Sequence, residues 1–171
     1  AHECYPKVPV QDRPFNVLFV ASKHWLRHKG YDIWREIGTT PGVGFVEIIA
    51  DSFNNSRTFH EMNEIYNSAQ VFVCMSASEG GPCTLQEAAG CGVVPISTDV
   101  GCARDFQNIF VVERTAAAFV EKIVYLKDNP KVVQQMSRGI IKEAVPMRSE
   151  FAAQAWGEFI GKLLLKHKGL F

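Results

Sequence analysis

Two hydrophobic rhythms alternate along this chain. Short runs of β-branched and apolar residues at Phe15 to Ala21, Gly44 to Ala50, Val71 to Met75 and Val93 to Ser97 have the length of strands covered on both faces. Between them, Tyr31 to Ile37, Thr58 to Asn67 and Thr84 to Gly90 carry apolar residues at helical spacing. A fifth strand is expected over Asn108 to Val112. After it the pattern becomes helical, with an amphipathic helix over Thr115 to Lys127, a second opened by Pro130 at its first position, and a long last helix over Ser149 to Lys166 with Ser149 as its candidate N-cap. Strand and helix in alternation predict an α/β fold, a Rossmann-like doubly wound parallel sheet, with extra C-terminal helices. Residues 1–14 hold Pro6, Pro9 and Pro14 and follow no period. They read as a tail or interdomain linker, leaving 15–171 as one domain.

The densest chemistry lies in SEGGPCTLQEAAGCG, residues 78–92. A strand ends in Ser76 and Ser78, the turn formers Gly80, Gly81 and Pro82 follow, and an alanine-rich helix begins near Cys83 and Thr84. Pro82 suits the first helical position, where a missing N–H is no loss. The free amides and positive dipole end of that helix face the turn, which makes an anion site. Glu79 stays on the loop in front and Glu87 lies one turn into the helix. One carboxylate can meet one end of a ligand and the second the other end, with phosphates between them. Two isolated glutamates at this spacing would ordinarily be solvated surface residues. Here they follow an apolar strand and straddle a Gly-Gly-Pro turn, and a strand-turn-helix that binds phosphate belongs at the carboxyl ends of a parallel sheet.

With Glu79, Gly80, Pro82, Leu85, Glu87, Ala88 and Gly92 in place, this stretch resembles the E-x7-E motif of the retaining family 4 glycosyltransferases, in the C-terminal, donor-binding half of their GT-B fold. Thr98-Asp99-Val100-Gly101 and Asp105 are similar to a downstream segment of that family, with Cys102 where a second glycine is usual and Asp105 for a longer glutamate. The resemblance spans roughly residues 15–165. It implies that Glu79 contacts hydroxyls of the donor sugar, that Glu87 holds the ribose, and that amides around Gly80, Gly81, Cys83 and Thr84 cradle a diphosphate. The loop after the first strand, SKHWLRHKGYD, is dense in cations. Lys29-Gly30 matches the family's diphosphate-binding lysine, so Glu79 and Lys29 are the expected catalytic pair. Ala21-Ser22 stand at the usual Gly-Arg, leaving Lys23 or Arg27 as substitutes. A solvated basic loop is the competing account of these cations, and Trp25 could anchor a partner domain. The stretch between residues 30 and 70 is shorter than in the family by about one βα unit.

Composition narrows the classes further. A chain of 171 residues, 47% hydrophobic, can bury roughly 70% of its unfolded surface without staples. Eighteen basic and eighteen acidic residues cancel, so there is no global attraction for nucleic acid and any anion binding is local. No transmembrane run or signal peptide is apparent. Five cysteines without a CxxC pair argue against a disulfide framework or zinc site and for a reducing compartment. The expected location is cytoplasmic, at a membrane periphery where the full-length enzyme requires it.

No D-x-D pair is available to hold a divalent ion, so neither metal nor cofactor is expected. The expected partners are a nucleotide-sugar donor and the chain's own N-terminal acceptor domain, for which these residues have no room. The apolar last helix, with Phe151, Trp156, Phe159, Ile160 and Leu163 to Leu165, would either pack on that domain or complete this one. A G-x-G-x-x-G after the first strand is missing, which argues against a dinucleotide oxidoreductase. A non-catalytic nucleotide-sugar-binding or protein-interaction module of the same fold is the alternative.

Overall fold

The computed structural model describes residues 4–51, 57–147 and 149–167. In chain order the elements are β1 (Asn16–Ser22), α1 (Tyr31–Ile37), β2 (Gly44–Ala50), α2 (Phe59–Asn67), β3 (Val71–Cys74), α3 (Cys83–Gly90), β4 (Val94–Ser97), β5 (Phe110–Val111), α4 (Ala116–Asp128), α5 (Pro130–Ala144) and α6 (Ser149–His167). The strands form one parallel sheet in the order β2-β1-β3-β4-β5.

Alternate strand residues face opposite layers, as the pleat requires. Val17, Phe19, Val71 and Val73 pack with Trp34 and Ile37 of α1 and Phe119, Ile123 and Leu126 of α4. Leu18 and Phe72 pack on the other side with Tyr66 of α2, Leu85 and Ala88 of α3, and Ile140 of α5. Both faces are therefore covered, which explains why the strands read as continuous apolar runs. Local signals fix the helix starts. Thr58 and Glu61 form a reciprocal capping box on α2, Thr115 Oγ1 accepts from the Ala118 amide at 3.3 Å on α4, and Pro130 opens α5. The side chain of Ser149, the candidate cap of α6, lies outside the described residues.

Two expectations need correction. Pro82 is the N-cap of α3 and not its first helical residue: its carbonyl accepts from the amides of Leu85 (3.0 Å) and Gln86 (3.3 Å). Residues 4–13, expected as part of a tail or linker, are packed onto the domain. Cys4 and Val10 are buried, and so is Arg13, only 4% exposed. Its guanidinium donates to the carbonyls of Val8 (2.7 and 2.9 Å), Ala69 (3.2 Å) and Cys91 (2.8 Å) and to Asn67 Oδ1 (3.1 Å). One side chain thus ties the N-terminal leg to the α2–β3 turn and to the end of α3.

The last helix behaves differently. Phe151, Trp156, Phe159, Ile160, Leu163 and Leu164 are exposed, and the main contact of α6 is with the turn Val145–Met147. These side chains do not complete the domain's own core. The side chain of Leu165 lies outside the described residues.

Arg13→Lys should destabilise the domain by about 2–4 kcal/mol, because an ammonium cannot reproduce the planar fork and leaves buried carbonyls unpaired. Urea unfolding measures this, and a loss under about 0.5 kcal/mol, the range of an ordinary surface substitution, would contradict the clasp.

Candidate functional site

The strand order creates the site. β1 pairs with β2 along its whole length, Asn16↔Gly44 to Ser22↔Ala50, but with β3 only at Val17↔Val71 and Leu18↔Phe72. Beyond those two pairs β1 and β3 part towards their carboxyl ends. Such a parting, where the chain switches sides of the sheet, is where open α/β folds place ligands. Two loops border it, residues 23–30 after β1 and 75–82 after β3.

The loops are joined to each other. The Ala77 amide donates to the His28 carbonyl (2.9 Å), and His28 Nε2 lies 2.6 Å from the Ser78 carbonyl. Arg114, ahead of α4, donates to the carbonyls of Met75 (3.0 Å) and Arg27 (3.3 Å), one on each loop. Gly30, at φ +82°, lets the first loop lie against the end of β3, since a Cβ there would come within 2.6 Å of the Met75 backbone oxygen and Cβ.

Across this joint Lys29 Nζ meets Glu79 Oε1 at 2.5 Å, and Ser76 Oγ donates to the same oxygen at 2.8 Å. Burial alone would raise the Glu79 pKa, but the hydrogen bonds from Lys29 and Ser76 outweigh it and hold the carboxyl below its ordinary value. The pair borders an open cleft of about 500 Å³ lined by Trp25, His28, Lys29, Ser78, Glu79 and Gly80. Above Gly80 and Gly81 the space is clear, for a Cβ on either meets nothing within 4 Å. A ligand can approach that backbone closely. Behind the glycines, α3 begins at Cys83 and Thr84 with no side chain capping its amides.

Glu87 sits one turn into α3, half-buried, with Oε2 accepting from Tyr66 Oη at 2.7 Å. Burial, and then the neighbouring Glu87 charge, push the Tyr66 pKa well up, so the phenol stays a donor and fixes the carboxylate's orientation. Lys29, Glu79 and Gly80 are thus brought together at the cleft, with Gly81, Cys83, Thr84 and Glu87 following along loop and helix. Lys23 goes elsewhere, its Nζ 3.6 Å from Asp51 Oδ2 at the end of β2. Cys102, at the position usual for glycine, accepts from Gln86 Nε2 at 3.5 Å and so packs beside α3. Tyr66 and Arg114 are site-shaping residues that the sequence alone does not mark, and Ser76, expected only as the strand's end, also holds Glu79. Among the described residues no three His, Cys, Asp or Glu side chains gather to hold a metal ion, and no helix is long and apolar enough to cross a membrane.

A family profile described as "Glycosyl transferases group 1" matches residues 37–129, more than half the chain. The chain belongs to the group 1 glycosyl transferases. The match takes in Glu79 and Glu87 and leaves Lys29 outside it. Comparison with curated proteins gives no match. Solved structures show the fold of this group 1 domain. Sucrose-phosphate synthase from Thermosynechococcus elongatus superposes with a TM-score of 0.78 at 15% identity over 95% of this chain and 50% of that one. The C-terminal domain of the group 1 family protein LpcC from Francisella tularensis gives 0.68 at 16% identity, over 83% of this chain and 94% of that one. Anabaena HepE, solved in complex with UDP and glucose, gives 0.68 at 13% identity over 87% and 49%. The chain spans half the length of the synthase, and its fold is that of the GT-B glycosyltransferases' C-terminal half.

The lowered Glu79 pKa has a sign that can be measured. The ionised pair's contribution is fully present above the ordinary glutamate value, about 4.3, and is lost as pH falls through the lower folded-state value. The difference in urea midpoint between wild type and Glu79→Gln at pH 7 should therefore close as the pH is taken below about 4. A difference that does not change with pH would mean the ion pair contributes nothing.

Proposed function

We propose that this group 1 domain binds the nucleoside-diphosphate sugar donor of a retaining, metal-independent hexosyltransferase, and that an N-terminal domain of a longer chain supplies the acceptor. One observation carries it: the Lys29–Glu79 pair stands in a cleft at the parted ends of β1 and β3, in front of the uncapped amides of α3. A cation and helix amides suit a diphosphate, a carboxylate suits sugar hydroxyls, and here the two are partners before any ligand arrives.

Donor binding then exchanges partners. Lys29 turns to the diphosphate, and Glu79, still held by Ser76, becomes free to accept from hydroxyls of the sugar. Glu87, set by Tyr66, accepts from the ribose hydroxyls, each charge-assisted bond contributing about 1.5–3 kcal/mol. Breaking the anomeric bond puts negative charge on the departing diphosphate and oxocarbenium character on the sugar. The ammonium and the amides of Cys83 and Thr84 stabilise the former as it develops. The Lys29 ammonium and these amides would supply that stabilisation without a bound metal. Retention of configuration rests on the resemblance to the retaining family. The reading fits a cytoplasmic enzyme.

Glu87→Ala should weaken nucleoside diphosphate and nucleotide sugar alike by about a hundredfold or more, and Tyr66→Phe by a smaller factor in the same direction. Glu79→Ala should spare the diphosphate and weaken only the sugar-bearing donor. Calorimetry with EDTA present, after a thermal-shift screen of UDP-, GDP-, ADP- and CMP-sugars, measures each. Equal loss of diphosphate affinity in Glu79→Ala and Glu87→Ala would reverse the assignment of ends. Absence of any binding by the wild type would favour the interaction-module alternative.

A further inference from the structure

Trp25 closes the 3-10 turn Lys23–Trp25 that follows β1, and its side chain is 61% exposed. A lone exposed aromatic needs no explanation in itself. The company of this one does, because it stands on the wall of the same cleft as Glu79, Lys29, His28, Ser78 and Gly80.

It is also held in place. The Lys29 amide donates to the Trp25 carbonyl at 2.8 Å, fixing the backbone. His28 meets the indole edge to face, with centroids 6.1 Å apart and planes at 73°, and His28 is itself tied to Ser78 across the joint between the loops. Trp156 and Phe159, also exposed, pack instead against each other on α6.

A braced indole face beside a carboxylate suits a ligand with one apolar, C–H-lined face and hydroxyls around its rim. A pyranose ring has that shape, and its weakly positive C–H groups match the negative face of the indole. We propose that Trp25 is the stacking platform for a pyranose ring in this cleft, with Glu79 receiving the ring's hydroxyls. This rests on the donor reading and adds to it the surface that holds the sugar. The ring can belong to the donor or to a sugar acceptor.

The test compares the 171-residue wild type, Trp25→Ala and Trp25→Phe. In the donor arm, calorimetry is run with UDP-glucose, GDP-mannose and ADP-glucose and with UDP, GDP and ADP. Trp25→Ala should lose about tenfold in affinity for whichever nucleotide sugar the wild type binds, keep its diphosphate affinity within about twofold, and recover most of the loss in Trp25→Phe, which retains an aromatic face. In the acceptor arm, saturation-transfer NMR with methyl α-glucoside and maltose in the presence of that diphosphate should lose its signal in Trp25→Ala. A deficit in either arm, rescued by phenylalanine, supports the platform and identifies which ring it holds. Equal losses for diphosphate and nucleotide sugar, a deficit that phenylalanine does not rescue, or no deficit in either arm overturns it while leaving the donor reading intact. No binding of any nucleotide sugar to the wild type overturns both.

Discussion

The site depends on one topological constraint. β1 lies between β2 and β3, and the connection through α1 leaves it on one face of the sheet while the connection through α2 returns to β3 on the other. Right-handed crossovers on opposite faces cannot both cover the edge between β1 and β3, so the strands separate after two residue pairs. The buried layers on each side hold that separation open. The loops that carry Lys29 and Glu79 hang from its two lips, and α3 aims its N-terminus at the gap because it begins where β3's loop ends.

What was legible in the sequence was whatever repeats with the period of a strand or helix. The limits of α1 and β2 follow directly from their apolar spacing, and the caps at Thr58 and Thr115 mark helix starts by their chemistry. The N-terminal leg was not legible. Arg13 binds it through hydrogen bonds to main-chain carbonyls, which leave no hydrophobic period, and three prolines in that stretch suggested an unpacked chain. Glu79 and Glu87 stood out by the turn and helix around them, and Lys29 by the resemblance of Lys29-Gly30 to the family's lysine-glycine pair. The partners that set their geometry were hidden by distance along the chain. Tyr66 is 21 residues from Glu87, and nothing in α2 distinguishes it from any other apolar-facing aromatic. Lys23, on the same cation-rich loop, lies 3.6 Å from Asp51, a partner that its place in the sequence does not suggest.

The helix α6 shows where the domain's self-sufficiency ends. Both faces of the sheet are covered without it, and Trp156, 61% exposed, packs edge to face with Phe159 on the same helix. An apolar face of this kind marks an interaction surface more often than a solvated one. The helix follows the domain's last packed helix, and the chain spans half of the synthase's length.

On the proposed donor reading, the Lys29–Glu79 contact also bears on how fast a phosphate-bearing ligand would find this cleft. Two opposite charges 2.5 Å apart project only a dipole, whose field falls off faster than that of a single ammonium, and the chain as a whole carries no net formal charge. An incoming phosphate is therefore not drawn in from beyond about a Debye length, roughly 8 Å at physiological salt. On that reading its arrival would be governed by ordinary diffusion and by how quickly the ammonium exchanges Glu79 for the phosphate. Salt, which screens long-range fields, therefore has little of this pair's own field to weaken.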